Sequence, residues 1–265
     1  MGPNGAGKTA TVRLMIGIIR PTSGSVRCFG LDAWTDAVNV HRRVAYVPGE
    51  LSVWPQLTGA ETLELLGSVH GTADIAYRDD LCERFVFDPS KKNRSYSKGN
   101  RQKIGLIAAL MTRADLLVLD EPTSGLDPLM EVVFRECVSE ATALGQTVFL
   151  SSHILAEVEA LCGRVGILRD GRLIDIGTLA EMQHLTAHTV ELTLAGTVPD
   201  LTIVPGVGNF TTRPDGVVRL EAHDSTAPLI HALAGCEVVA FESRKPSLEE
   251  TFLAHYTTPT ADETG

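Results

Sequence analysis

The run Gly2-Pro3-Asn4-Gly5-Ala6-Gly7-Lys8-Thr9 fits the pattern G-x-x-x-x-G-K-[ST], and its chemistry is that of a phosphate cradle. Glycines let successive backbone N–H groups curl around the β- and γ-phosphates of a nucleotide, and a helix starting at once adds positive potential at its N-terminus. Lys8 supplies a mobile charge, the Thr9 hydroxyl suits Mg2+, and the cradle runs on to Ala10. The competing reading, a glycine-rich turn with a chance Lys-Thr, does not account for the complete pattern.

A second cluster is Leu116-Leu117-Val118-Leu119-Asp120-Glu121, an apolar run ending in two carboxylates. Asp120 is suited to hold Mg2+ through a water, and Glu121 to act as general base toward an attacking water. Alone, the pair reads equally well as acids ending a strand at the surface; beside a phosphate cradle, hydrolysis is the better reading. His153 closes another apolar run, Phe149-Leu150-Ser151-Ser152-His153. That places it at the carboxyl edge of a sheet, where open α/β folds bind nucleotides, to bond a γ-phosphate or orient the water.

These residues need elements to position them. An apolar helical pattern over 10–19 follows the cradle and ends at Arg20-Pro21. Short strands are predicted over 25–29 and 43–47, the latter stopped by Pro48-Gly49. Thr58 and Glu61 form a capping box before Leu63, Leu65, Leu66 and Val69, opening a helical subdomain over about 50–113. Continuous apolar runs at 116–119 and 147–150 predict strands buried on both faces of a parallel sheet, with a helix over 101–110 before them.

Beyond the Gly177-Thr178 region the pattern alternates, at Val190, Leu192 and Leu194 and again at Val217 and Leu220. A turn at Arg213-Pro214-Asp215-Gly216, helices at 227–233 and from Ser247, and a strand at 238–241 complete a small α+β appendage. The expected organisation is a nucleotide-binding domain over 1–180, an appendage over 186–258 and a disordered tail over 259–265.

With 44% hydrophobic and 21% charged residues, composition is that of a globular chain. A net charge of −10 argues against a broad grip on nucleic acid or an anionic membrane. No apolar stretch approaches the roughly 20 residues that cross a bilayer, and no secretory signal is seen. Five scattered cysteines without a C-x-x-C pair read as reduced thiols of a cytoplasmic protein.

On the cradle, Asp120-Glu121 and three further segments, the chain resembles the nucleotide-binding subunit of an ATP-binding-cassette (ABC) transporter. Ser124-Gly125-Leu126-Asp127 is similar to the family's D-loop, and Ser151-Ser152-His153 to its switch-histidine segment. Tyr96-Ser97-Lys98-Gly99-Asn100-Arg101-Gln102-Lys103 stands where the family has Leu-Ser-Gly-Gly-Gln. The resemblance implies a P-loop NTPase of class α/β, with a parallel sheet core and helical subdomain, that binds ATP with Mg2+.

It also implies a head-to-tail homodimer or pseudo-homodimer in which Ser97 and Gly99 of one subunit complete the phosphate site of the other. Asp127 belongs to the same set, and Thr9 and Asp120 to the metal. The implied partner is a separate transmembrane permease, reached from the inner face of the cell membrane without insertion. Pro48-Gly49-Glu50, Ser97-Lys98-Gly99-Asn100 and the run over 246–252 are most similar to drug- and antibiotic-exporter ATPases. Trp54, Leu57 and Leu63 are candidates for a groove receiving a permease helix, or for the subdomain's own core.

Three departures stand out. Lys98 and Asn100 replace Gly and Gln of the signature. Gly49 stands where the family has a glutamine that touches Mg2+, with Glu50 and Gln56 as substitutes. The family also begins several tens of residues earlier, with a strand feeding the cradle and an aromatic residue stacking on adenine. The expectation is therefore an unanchored cradle N-terminus and a neighbouring strand lacking ladder hydrogen bonds. A soluble cassette acting on ribosomes or DNA, and a vestigial binding module, are the alternatives.

Overall fold

A computed structural model describes residues 1–3, 5–184, 188–196, 198–213, 216–223 and 226–244. The helix expected from Ser247, the tail over 259–265, and Asn4, Pro214 and Asp215 lie outside these. The chain divides into two compact units, one of residues 1–162 with 167–173, the other of 163–166 with 174–265.

The first unit opens with α1 (Lys8–Met15), then the short β1 (Arg27–Cys28) and β2 (Leu31–Asp32), α2 (Ala37–His41) and β3 (Val44–Val47). Helices α3 (Gly59–His70), α4 (Ile75–Arg84) and α5 (Lys98–Leu110) follow, then β4 (Leu116–Asp120), α6 (Pro128–Ala143), β5 (Thr147–Ser151) and α7 (Leu155–Leu161). Strands β3, β4 and β5 form a parallel sheet with β4 in the middle, Val47 opposite Leu119 and Asp120 opposite Ser151.

Period-two alternation explains why β4 is buried throughout. Leu116 and Val118 pack with Val12 and Ile16 of α1 in one core, while Leu117 and Leu119 enter the larger core beneath α5 and α6. Burying both faces is what a continuous Leu/Val run encodes. The same reading fails for β5: Val148, Phe149 and Leu150 are only half-buried. The cause is topological, since β5 pairs with β4 on one edge and, among the described residues, with no strand on the other.

The helical segment owes its entry to a complete capping box. Thr58 Oγ1 accepts from Glu61 N while Glu61 Oε2 accepts from Thr58 N at 2.7 Å. Asn93, 1% exposed, donates to the Trp54 carbonyl and to Thr62 Oγ1, tying α3 to the segment before α5. Leu63 is 1% exposed and belongs to the core, whereas Trp54 is 54% exposed. Of the two fates considered for these apolar residues, the core claims Leu63.

β6 (Arg164–Arg169) and β7 (Arg172–Thr178) pair as a hairpin, and the division between units falls within both strands. After α8 (Leu179–His184), the second unit contains β8 (His188–Leu194), β9 (Val207–Thr212), β10 (Val217–Ala222), α9 (Ala227–Ala232) and β11 (Val238–Arg244). These strands form an antiparallel sheet in the order β11-β8-β10-β9. Its core is built on Val190, Leu192, Val218, Leu220 and Leu229. Val190, Leu192 and Leu220 are those expected from the alternation, whereas Val218 is buried in place of Val217, which is only partly buried. No helix among the described residues is long and apolar enough to cross a membrane.

Candidate functional site

The cradle begins at the Met1 carbonyl. Leu168 N of β6 donates to Met1 O at 2.8 Å, and Gly171 N donates to Ala6 O at 3.0 Å. The expectation of an unanchored N-terminal end is therefore corrected: two backbone hydrogen bonds from β6 and the turn after it hold the loop. The approach is close enough that a Cβ on Gly2 would lie 2.5 Å from the Leu168 carbonyl oxygen. Gly5 and Gly7 have φ of 85° and 100°, left-handed values that glycine adopts without a steric penalty. Gly7 caps α1 with no side-chain bond, so the first N–H groups of α1, from Lys8 to Ala10, point out toward an anion.

Lys8, 8% exposed, sends its ammonium back across the loop. Nζ donates to the Gly2 carbonyl at 2.6 Å and the Pro3 carbonyl at 3.2 Å, and lies 3.3 Å from Glu121 Oε1. Thr9 Oγ1 donates to Asp120 Oδ2 at 2.9 Å across 111 residues of sequence. The other Asp120 oxygen accepts from Ser151 Oγ at 2.6 Å, so both oxygens of this buried carboxylate are oriented.

Glu121 follows Asp120, and its φ of 49° keeps its side chain from the opposite face to which an extended strand would send it. A left-handed non-glycine residue costs on the order of 1–3 kcal/mol, and such strain clusters where a side chain must be aimed. Here it turns the carboxylate toward the Lys8 ammonium at Oε1 and the His153 ring, whose Nδ1 donates to Oε2 at 2.5 Å. Lys8, Thr9, Asp120, Glu121 and His153 thus converge.

A cavity of about 480 Å3 opens onto this cluster, with Thr9, Asp120, Glu121 and His153 on one side and Gly49, Glu50 and Lys98 among its other walls. A Cβ at Gly49 would lie 3.2 Å from the Asp120 carbonyl oxygen, so a glutamine there would need a small shift of the backbone. Glu50, one of the two substitutes considered, lines the cavity, and Gln56 does not.

Sequence reasoning passed over Arg13 and Tyr46, which also line it. Arg13 lies one turn beyond Thr9 on α1, a spacing that was available as a signal. Burial, reinforced by the Asp120 charge, pushes the Tyr46 phenol above its ordinary range, while Arg13 opposes the shift through a hydrogen bond. Tyr46 is therefore a neutral hydroxyl beside the carboxylate.

Ser97 and Gly99 do not line this cavity. Ser97 caps α5, accepting from Asn100 N at 3.2 Å. Gly99 lies so near the Gly125 backbone that a Cβ would fall 2.3 Å from its carbonyl oxygen, and Lys98 Nζ donates to Ser124 Oγ at 2.8 Å. Asp127 caps α6, its Oδ1 accepting from Leu129 N and Met130 N at 3.1 Å each.

Thr9 and Asp120 present a hydroxyl and a carboxylate oxygen together, which suits Mg2+: this ion is bound by one or two protein oxygens plus phosphates and water. Among the described residues no cluster of three or more His, Cys, Asp or Glu could hold a metal unaided. The donor set therefore fits a metal that arrives with a phosphate ligand.

A glycine cradle on a helix N-terminus, with a parallel sheet delivering two carboxylates and a histidine to it, defines a P-loop nucleotide-binding fold. Residues 1–124 match the family model described as ABC transporter. The chain is 35% identical to an uncharacterized ABC transporter ATP-binding protein of Nostoc sp., over 96% of this chain and 77% of that one. It is 32% identical to the daunorubicin resistance ATP-binding protein DrrA3 of Streptomyces coeruleorubidus, over 96% and 84%. A solved ATP-binding subunit of an ABC transporter superposes with a TM-score of 0.65 at 32% identity, covering 70% of this chain and 79% of that one. The chain belongs to the ABC transporter family, as an ATP-binding subunit.

Proposed function

We propose that this chain binds ATP with Mg2+ on the Gly2–Ala10 cradle and hydrolyses it to drive a separate permease that exports drug- or antibiotic-type compounds. The observation that carries the reading is the setting of Glu121. It is held between Lys8 and His153, directly after the Asp120 carboxylate that bonds Thr9. With nucleotide bound, Lys8 would exchange the Gly2 and Pro3 carbonyls for phosphate oxygens, and Thr9 and Asp120 would hold the Mg2+ that neutralises phosphate charge. Glu121 is left to take a proton from the attacking water, with His153 steadying its second oxygen.

Ser97 and Gly99 stand apart from the cavity of their own chain and face the nucleotide of a second cassette in a head-to-tail dimer, homodimeric or pseudo-homodimeric. Asp127 fixes the start of α6 beside that junction. The permease meets a second cavity, of about 420 Å3, with Leu51, Val53 and Pro55 on one side and Arg94, Lys98 and Arg101 on the other. Lys98 and Glu50 line both cavities, which supports coupling between them. The subunit then works at the inner face of the membrane, and the daunorubicin resistance protein among its relatives supports the export of drug-like compounds. Residues 186–258 form a separate α+β domain in this reading.

The test is ATP hydrolysis by the full chain with Mg2+. Lys8→Ala and Glu121→Gln should each lower kcat by at least about 100-fold. Hydrolysis unaffected by both substitutions would refute the assignment.

A further inference from the structure

Glu157 is a carboxylate that the mechanism above does not use, yet it is 7% exposed, in the first turn of α7. Burying a carboxylate is costly unless its oxygens are bonded. Glu157 Oε2 accepts from Ser152 Oγ at 2.5 Å, whereas Oε1 is buried with no hydrogen-bond partner. It borders a cavity of about 70 Å3 that Thr123 and Arg135 also line. Burial pushes its carboxyl above the ordinary range, Ser152 and Thr123 favour its charge, and the Glu121 charge pushes it up again.

The Ser152 bond matters because of where it leads. Successive side chains leaving β5 alternate in direction: Ser151 Oγ donates to Asp120, and Ser152 Oγ to Glu157. Ser152 Oγ also accepts from Ile154 N at 3.0 Å. One hydroxyl, 1% exposed, thus bridges both sides of His153, the residue between them whose ring bonds Glu121.

We infer that Glu157 is a positioning residue for hydrolysis: by anchoring the Ser152 hydroxyl it fixes the turn between β5 and α7 and so aims the His153 ring at Glu121. The inference rests on the reading of Glu121 and His153 given above. A support that served stability alone would be met as well by an uncharged hydrogen-bonding group. Glu157→Gln keeps an oxygen for Ser152 and so tests whether the hydrogen bond or the charge is needed; the kcat-against-KM split, the His153→Ala background and the ring proton separate positioning from stability.

The experiment uses the full chain with Glu157→Ala and Glu157→Gln, each alone and combined with His153→Ala, read in two ways. In steady-state hydrolysis, Glu157→Ala lowers kcat by about 10- to 100-fold, as misaiming a reacting group does. KM for ATP stays within about twofold, since cradle binding is untouched. Glu157→Gln regains most of the rate, and on the His153→Ala background Glu157→Ala has no further effect. In proton NMR without nucleotide, the downfield Nδ1 proton of His153 persists in wild type and Glu157→Gln and is lost in Glu157→Ala. Should Glu157→Ala fail to fold, Ser152→Ala replaces it with the same expected loss.

A ring proton that survives Glu157→Ala or Ser152→Ala, or rate effects that multiply with His153→Ala, would overturn the inference. Wild-type protein without hydrolysis would instead count against the proposed function, and the NMR readout would still decide the role of Glu157.

Discussion

At the scale of residues, the site turns on how one carboxylate is aimed. Asp120 and Glu121 are neighbours in sequence, and an extended strand would send them to opposite faces; the left-handed φ of 49° at Glu121 lets both address one cavity. The sequence run ending in Asp-Glu foretold carboxylates at a strand end, because a Leu/Val run has only one good use. It carried no sign of the backbone strain or of the Lys8 ammonium and His153 ring that receive Glu121. His153, chosen for its place after an apolar run, has Glu121 as its partner 32 residues away, a contact no local pattern encodes. His153→Ala frees one oxygen of the proposed base, so kcat should fall by about 100-fold with KM for ATP nearly unchanged. A KM effect without a kcat effect would instead assign His153 to nucleotide binding.

At the scale of elements, local signals were the legible ones. The Thr58 capping box, the alternation of β8 and β10, and the two-faced burial of β4 each follow from a handful of adjacent residues. What a segment packs against was less readable. β5 carries as apolar a run as β4 yet is half-buried, because burial depends on the strand beside it and not on its own composition. The cradle is likewise anchored by β6 and the turn after it, more than 160 residues on, through Met1 O and Ala6 O.

The junction of α5 with the Ser124–Gly125 turn is another long-range feature. Gly99→Ala would drive a methyl to within 2.3 Å of the Gly125 carbonyl oxygen. Overpacking of this kind costs about 1–3 kcal/mol, and calorimetry should show a melting temperature lower by about 2–4 °C for each kcal/mol. An unchanged melting temperature would contradict the close approach of these two backbones.

At the scale of the whole molecule, Ser97, Gly99 and Asp127, expected at a phosphate site, do not line the cavity beside Thr9, Asp120, Glu121 and His153. Lys8, Thr9, Asp120, Glu121 and His153 assemble, while Ser97 caps α5, Gly99 packs against the Gly125 backbone and Asp127 caps α6. In the reading proposed above, a second copy or a close relative completes the enclosure of one nucleotide.

Dimerisation driven by ATP is therefore the most direct consequence of the account, and Glu121→Gln isolates it by stopping the turnover that would take the dimer apart. Sedimentation of the full-length Glu121→Gln chain should show its mass doubling with saturating ATP and returning to that of the monomer when Lys8→Ala is added. A Glu121→Gln chain that stays monomeric at saturating ATP would contradict the account.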